Sequence, residues 1–175
     1  MNAEAIERAL RRMAREIVDR ARGGELAIVG IRRGGVHLAQ RLRRELLQVT
    51  GSDVPLGSLD IALYRDDLSE RAPSPVVGPT AIPFPVTGKT IVLVDDVLYT
   101  GRTVRAALDE LVDFGRPRRV LLAVLVDRGG RELPIAPDVV GALVEVPDTE
   151  QVELRLKEAG DAEDAVVVRA RGVRA

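Results

Sequence analysis

The residues best suited to chemistry in this chain lie together after a short apolar run. Asp95 and Asp96 directly follow residues 91–94, and Thr100-Gly101-Arg102-Thr103 comes a few residues later. Carboxylates accept hydrogen bonds from vicinal sugar hydroxyls and coordinate magnesium together with its water shell. A glycine between hydroxyl side chains lets backbone N–H groups approach a phosphate closely. A sugar phosphate would satisfy both groups of residues.

The elements that position these residues can be read from the apolar pattern. Residues 91–94 are apolar without alternation, which is typical of a strand buried on both faces of a parallel sheet. After Thr103, apolar residues recur at intervals of three and four, which predicts a helix whose buried face carries Val104, Ala107, Leu108, Leu111 and Val112. Residues 100–103 would form its opening turn, where free N–H groups and the helix dipole favour an anion.

Two common nucleotide motifs are excluded by this spacing. The segment is neither the Gly-x-x-x-x-Gly-Lys-[Ser/Thr] loop nor the Gly-x-Gly-x-x-Gly fingerprint. The alternative without a ligand is that Thr100 caps a helix and that the two aspartates are solvated acids at a strand end. Adjacent acids followed by Thr-Gly-Arg-Thr favour the sugar phosphate.

A second anion site is predicted after the first strand. Residues 26–31 read as a strand, Arg32-Arg33-Gly34-Gly35 as a basic turn, and residues 36–47 as a helix. At neighbouring strand ends of a doubly wound sheet, the two sites could hold the two ends of one diphosphorylated sugar. A glycine pair that only turns the chain is the alternative. His37, the single histidine, is expected to pack or to face solvent.

Length and composition limit the class of protein. The 175 residues suit one domain over residues 1–175, and 46% hydrophobic with 30% charged residues is ordinary for a globular chain. No apolar stretch reaches the roughly 20 residues of a membrane span. The absence of cysteine excludes disulfides and thiolate metal sites, and the charged N-terminal segment is unlike a signal peptide, so we expect a cytoplasmic protein.

Nucleic-acid binding would require a local basic patch, because the net charge is −1. The amphipathic helix predicted over residues 3–20 offers one, since Arg8, Arg11, Arg12 and Arg15 recur at intervals of three or four. These arginines either form a solvated face balanced by nearby acids or contact RNA phosphates.

The rest of the chain supplies a predicted lid and a predicted hood. Residues 54–64 read as a strand, and the proline-rich segment of about residues 66–89 reads either as a linker or as a flexible lid that excludes water, with Arg65 at its base near a phosphate. Further strands are expected over residues 119–126, 139–144, 152–156 and 165–168. The region of about residues 127–175 would form a small hood, where backbone groups after Val126 read a base and Arg128 contacts pyrophosphate or the base.

The segment VLVDDVLYTGRT resembles the phosphoribosyl-pyrophosphate signature of type I phosphoribosyltransferases. With IALYRDDL at 61–68 and AVLVDRGGRELP at 123–134, the chain resembles the family of bifunctional pyrimidine operon regulators and uracil phosphoribosyltransferases. The resemblance implies an α/β fold with a mostly parallel central sheet flanked by helices, a flexible lid loop and a small hood. It also implies a homodimer or homotetramer.

The same resemblance implies two activities. One is the transfer of phosphoribose from phosphoribosyl pyrophosphate (PRPP) to uracil, with Mg²⁺ as cofactor and with UMP and pyrophosphate as products. The other is binding of pyrimidine operon mRNA, controlled by UMP or UTP, which regulates transcription by attenuation. A regulator with vestigial catalysis and a transferase for another base remain alternatives. Purine-using relatives carry an acid at the position of Tyr99, so the tyrosine favours a pyrimidine.

The expected site residues follow from the residues and the resemblance together. Asp95 and Asp96 are the expected catalytic residues and would reach magnesium mainly through substrate and water. Arg33-Gly34-Gly35 stands where several relatives have Thr-Arg-Gly, so either Arg32 or Arg33 would meet the pyrophosphate. RNA binding is assigned to Arg8, Arg12, Arg15 and Arg131. The substrate-binding residues are Arg32, Arg33, Gly34, Arg65, Asp95, Asp96, Val97, Leu98, Tyr99, Thr100, Gly101, Arg102, Thr103, Arg128 and Val152.

Overall fold

A computed structural model describes residues 1–64 and 79–171 of the chain. Helices and strands follow the predicted order, and the described residues include short 3₁₀ turns at Ile61–Leu63, Val112–Phe114 and Lys157–Ala159. The elements are α1 (Ala3–Ala21), β1 (Leu26–Ile31), α2 (Gly34–Thr50), β2 (Leu56–Leu59), β3 (Thr90–Leu98), α3 (Arg102–Leu111), β4 (Arg119–Asp127), β5 (Val139–Leu143), β6 (Glu150–Arg155) and β7 (Ala165–Ala170).

A five-stranded parallel sheet forms the centre of the fold. Its strand order is β2-β1-β3-β4-β5, and every pair in it is parallel. Strand β3 therefore lies in the middle, with β1 on one side and β4 on the other. Because parallel strands end at the same edge, the turns that follow β1, β3 and β4 meet there. The predicted α/β fold with a mostly parallel sheet flanked by helices is confirmed.

Both faces of the sheet are buried, which explains the unbroken apolar runs. Val92 and Val94 of β3 face helices α1 and α2, whereas Ile91 and Leu93 face helix α3. Successive side chains of a strand point to opposite faces, so a strand covered on both sides needs apolar residues at every position. Helix α1 buries the predicted face, which comprises Ile6, Leu10, Met13, Ala14 and Ile17.

The hood is a two-stranded antiparallel sheet of β6 and β7. Leu156 and Val166 belong to the same apolar cluster as helices α1 and α2, and Val152 and Leu154 pack against it. An ion-pair network also ties the hood to α2, because Arg41 lies 2.8 Å from Asp164 and donates a 2.8 Å hydrogen bond to Glu158. The helix that follows the basic turn therefore carries the hood.

Several predicted boundaries differ from the structure. The strand predicted over residues 54–64 is only Leu56–Leu59, because Asp60 accepts a hydrogen bond from the N–H of Ala62 and opens the turn Ile61–Leu63. Strand β3 continues through both aspartates to Leu98, since β4 supplies ladder partners beyond them. Val112 was predicted to be buried but is 62% exposed, because the chain leaves α3 at Leu111.

The predicted flexible segment of about residues 66–89 is packed in its second half. Ser58 pairs with Ala81, Val86 is buried, and Phe84 packs against the cluster under α3. Residues 66–78, like Arg65, lie outside the described residues. Within the described ranges, no helix combines the length and apolarity needed to cross a membrane.

The end of α3 offers a direct test of this packing. Leu111 is 1% exposed and Val112 is 62% exposed. We expect Leu111→Ala to lower the free energy of unfolding by about 2–5 kcal/mol, because it leaves a cavity in the core. Val112→Ala, its neighbour, should change that free energy by less than about 0.5 kcal/mol. Urea denaturation of both variants measures the difference, and equal losses would contradict the placement.

Candidate active site

Asp95 and Asp96 lie in the last part of the central strand, one buried and one open to a cleft. Asp95 is 4% exposed, and its Oδ1 accepts a 3.0 Å hydrogen bond from the N–H of Asp96. Asp96 is half-exposed, and its Oδ1 accepts a 2.8 Å bond from the N–H of Val97. Burial first, and then the negative charge of Asp96, raise the pKa of Asp95 well above its ordinary value.

The predicted phosphate loop joins β3 to α3. Helix α3 begins at Arg102, and Gly101 precedes it with a φ of 92°, a left-handed conformation that glycine adopts without strain. A Cβ at Gly101 would also lie 3.3 Å from Ile135. The first-turn N–H groups of α3 have no intrahelical acceptors, so this loop can receive an anion. The loop predicted from Thr-Gly-Arg-Thr thus has the geometry of an anion site.

The basic turn after β1 lies directly against Asp96. A side chain at Gly34 would overlap Oδ2 of Asp96, and one at Gly35 would overlap the carbonyl of Val94. The absence of side chains at Gly34 and Gly35 permits this approach, which brings the turn after β1 against the end of β3. The peptide bond between Arg32 and Arg33 is cis.

A cleft of about 420 Å³ opens between this turn and the hood. Arg33 lines the cleft, whereas Arg32 is half-buried and its Nε is buried without a hydrogen-bond partner among the described residues. The cleft also contains His37, which was expected to pack or to face solvent. Its lining residues are Arg33, Gly34, His37, Asp96, Leu154, Leu156, Glu158 and Ala159.

The hood residues and His37 were missed at the sequence level for identifiable reasons. Leu154, Leu156 and Glu158 reach the cleft because the hood packs on α2, and no spacing in the sequence signals that contact. His37 could have been found, since it lies in the first turn of the helix that follows the glycine pair.

Other residues that were predicted to bind substrate make contacts within the protein. The side chain of Leu98 lies in the core under α3, and half-buried Val152 packs against the core cluster that includes the hood. The side chain of Arg128 is 3% exposed and donates hydrogen bonds to the carbonyls of Val146, Pro147 and Glu150. Its guanidinium is therefore occupied by the hood and is not free for pyrophosphate or base. Arg102 is exposed and pairs with Glu132 at 2.7 Å.

The arginines predicted to bind RNA have different surroundings. Arg8, Arg12 and Arg15 are exposed on α1, where Arg8 pairs with Glu4 and Arg12 donates to the carbonyls of Val140 and Gly141. Arg131 lies in the loop after β4 and donates to Asp127, to the carbonyl of Tyr99 and to that of Ile135. The guanidinium of Arg131 therefore braces this loop.

Comparison with known proteins agrees with this arrangement. The model of the phosphoribosyl transferase domain matches residues 1–154. The chain is 53% identical to the bifunctional protein PyrR of Listeria monocytogenes over 172 residues, covering 96% of the chain and 94% of the relative. It is 57% identical to that of Thermus thermophilus over 167 residues, covering 95% and 92%.

The fold is also found among solved structures. The hypoxanthine phosphoribosyltransferase of Trypanosoma cruzi superposes with a TM-score of 0.66 at 20% identity, covering 83% of the chain and 80% of the enzyme. At this identity the likeness concerns the fold. The family match and the close relatives together show that the chain belongs to the phosphoribosyl transferase family and, within it, to the bifunctional PyrR proteins.

Proposed function

We propose that this protein transfers phosphoribose from PRPP to uracil, giving UMP and pyrophosphate, and that it also binds pyrimidine operon mRNA as a regulator of transcription attenuation. The observation that carries the first activity is the contact between the turn after β1 and the end of β3. Asp96 lies against Gly34, with the phosphate loop one turn further along the chain. A sugar with phosphates at both ends fits two anion sites separated by a pair of carboxylates.

Each part of the substrate has a place in this proposal. The turn at 100–103 and the start of α3 hold the 5′-phosphate, and Asp96, with the buried Asp95 behind it, accepts hydrogen bonds from the ribose hydroxyls. Arg33 lines the cleft with Asp96, so it is better placed for the pyrophosphate than Arg32. The carboxylates also stabilise positive charge on the ring as the bond from C1′ to the pyrophosphate breaks. Uracil N1 then forms the new bond to C1′ and loses its proton, which the departing pyrophosphate can accept, and no covalent enzyme intermediate is needed.

Magnesium fits this site only as an ion shared with substrate. Among the described residues, no group of three or more acidic, histidine or cysteine side chains could hold a metal. Asp96, with Asp95 behind it, would contribute the protein ligands, and substrate oxygens and water would complete the shell that magnesium prefers. The chemistry that Mg²⁺ supplies in such a site is neutralisation of charge on the leaving pyrophosphate.

The regulatory activity is proposed from the exposed arginines of α1. Arg8 and Arg15 extend into solvent on one helix, and their spacing could follow phosphates of an RNA strand. Arg12 shares this face, although its guanidinium also contacts β5. Family membership supports a second activity beside transfer, because the relatives are named bifunctional.

The catalytic proposal predicts the effect of neutralising both carboxylates. Replacing Asp95 and Asp96 with asparagine should lower kcat/KM for UMP synthesis by at least about 10²–10³-fold, as loss of a preorganised charge does elsewhere. The assay uses PRPP, magnesium and a panel of uracil, hypoxanthine and other bases. Circular dichroism and thermal unfolding should show that the fold persists. Wild-type turnover in the double variant would remove the role proposed for these residues.

Because Asp95 is buried, its charged carboxylate is expected to lower the stability of the fold. Because the pKa of Asp95 is raised in the fold, stability is lost as pH rises from the unfolded pKa towards the folded one. The Tm of Asp95→Asn should therefore exceed the wild-type Tm at pH 8, by about 2–4 °C for each kcal/mol relieved. The gap should shrink as the pH falls towards the ordinary pKa of a carboxyl group, because the cost of charging buried Asp95 disappears there.

Asp109→Asn provides the matched control for this pH series. Asp109 is exposed on α3, and its replacement changes the net charge equally. Its Tm should stay close to the wild-type value throughout the pH range. If the difference in Tm between Asp95→Asn and wild type does not grow with pH, Asp95 does not destabilise the fold as proposed.

RNA binding is tested by removing exposed arginines of α1. Arg8→Ala with Arg15→Ala should weaken binding to pyrimidine operon leader RNA and should lower the slope of log K against log salt by about 0.7–0.9 for each lost phosphate contact. UMP synthesis should be unchanged. Arg43→Ala is the control, because Arg43 is a half-exposed arginine of α2 that pairs with Asp53. If Arg43→Ala weakens RNA binding as much as the α1 double variant does, both with and without UMP, then the α1 surface is not the RNA site.

A further inference from the structure

Tyr99 connects the candidate phosphate loop to the hood. It follows Leu98 at the end of β3, directly before the turn at 100–103. Its hydroxyl donates a 3.0 Å hydrogen bond to Oδ1 of Asp148. Two guanidinium groups lie over its ring, that of Arg128 at 3.8 Å and that of Arg171 at 4.9 Å from the ring centroid. A residue adjacent to the candidate phosphate loop is thus packed against three residues from later in the chain.

Arg128 fixes the segment that leads into the hood. Its side chain donates a 3.0 Å bond to the carbonyl of Glu150 and longer bonds of 3.4 and 3.5 Å to those of Val146 and Pro147. Its backbone N–H donates to the carbonyl of Leu98 at 3.1 Å. One buried arginine therefore ties the end of β3 to the segment 146–150, which leads into β6. The planar guanidinium reaches several acceptors at once, which an ammonium group cannot do.

The loop after β4 is shaped to admit the ring of Tyr99. A Cβ at Gly130 would lie 2.5 Å from Cε2 of that ring. Arg131 donates to the carbonyl of Tyr99 at 2.9 Å, so the same residue is held through its backbone as well. Arg171 adds a 3.3 Å bond to the carbonyl of Asp148.

We infer that Tyr99 and Arg128 are positioning residues, which set the distance between the hood and the strand ends that carry Asp95 and Asp96. This inference rests on the proposed transfer to uracil. The residues Tyr99, Arg128, Asp148 and Arg171 are called the Tyr99 clamp below. The hydroxyl of Tyr99 is bonded to Asp148, so the clamp acts by holding the hood rather than by proton transfer. Loosening it leaves the hood, under which the base is expected to bind, without a fixed position.

This geometry predicts that the KM for uracil and the KM for PRPP respond differently to changes in the clamp. Tyr99→Leu and Arg128→Met should each raise the KM for uracil by about tenfold, because the base loses a fixed hood. For Arg128→Met the KM for PRPP should change by less than about twofold, since this guanidinium bonds to neither the turn at Gly34 nor the turn at Gly101. Tyr99→Phe keeps the ring over Arg128 and loses only the hydroxyl, so it should stay within about threefold of wild type.

Arg128→Lys separates positioning from charge. It keeps the positive charge but cannot span the three carbonyls. The clamp predicts that its KM for uracil resembles that of Arg128→Met. A wild-type KM for uracil in Arg128→Lys, or an equal rise of both KM values in Arg128→Met, would overturn the inference.

Tyrosine emission provides a measurement that is independent of activity. The chain has two tyrosines and no tryptophan, and both hydroxyls donate to aspartates, Tyr64 to Asp113 and Tyr99 to Asp148. Tyr64→Phe therefore leaves Tyr99 as the single emitter and also serves as the matched control, with an unchanged KM for uracil. In that background, Asp148→Asn removes a quenching carboxylate and should raise the emission. Asp148 has an 85% exposed side chain, so this variant keeps the fold.

The outcomes separate the clamp from the proposed function. If the wild-type protein converts none of the bases tested, the proposed transfer fails. Unchanged tyrosine emission in Asp148→Asn would reject the clamp whatever the activity assay shows. If wild type makes UMP while Tyr99→Leu and Arg128→Met keep its KM for uracil, the transfer stands and the clamp fails. If those two variants do not fold, Arg128→Lys and the emission of the Asp148→Asn variant decide the matter.

Discussion

The contact between Gly34 and Asp96 is the constraint on which the rest of the site depends. It brings the turn after β1 against the strand that carries both acids, and any larger residue at position 34 would separate them. The parallel sheet makes the contact available, because β1 and β3 are neighbours and end at the same edge. The cleft that Gly34 and Asp96 line together opens beside this contact.

The sequence was most informative where local patterns decide local structure. The unbroken apolar run of β3, the helical spacing of α1 and the Thr-Gly-Arg-Thr turn each predicted the element that is found. The prediction was weaker where a single residue ends an element. Asp60 turns the chain after only four residues of β2, and Val112 leaves the apolar face because α3 has already ended. Neither event changes the spacing of apolar residues.

Contacts between distant segments explain the rest of what the sequence did not reveal. An arginine beside a predicted ligand site reads as a ligand, but Arg128 and Arg131 meet backbone carbonyls of the hood and of the loop after β4. Buried donors must find acceptors, and these loops offer carbonyls without ladder partners. Glu158 and Leu154 likewise reach the cleft because the hood packs on the core cluster and is held to α2 by Arg41. Some arginines of this protein therefore hold the segments around the site in place, whereas others are proposed to bind its ligands.

The contact of Arg12 with β5 has a consequence for how the molecule behaves in a crowded solution. An open sheet edge presents backbone groups that can pair with a strand from another molecule and start aggregation. Strand β5 ends the five-stranded sheet, and the guanidinium of Arg12 occupies carbonyls of Val140 and Gly141 along it. A bulky cation at this edge hinders the approach of a foreign strand. The first helix thus shields the sheet from unwanted strand addition.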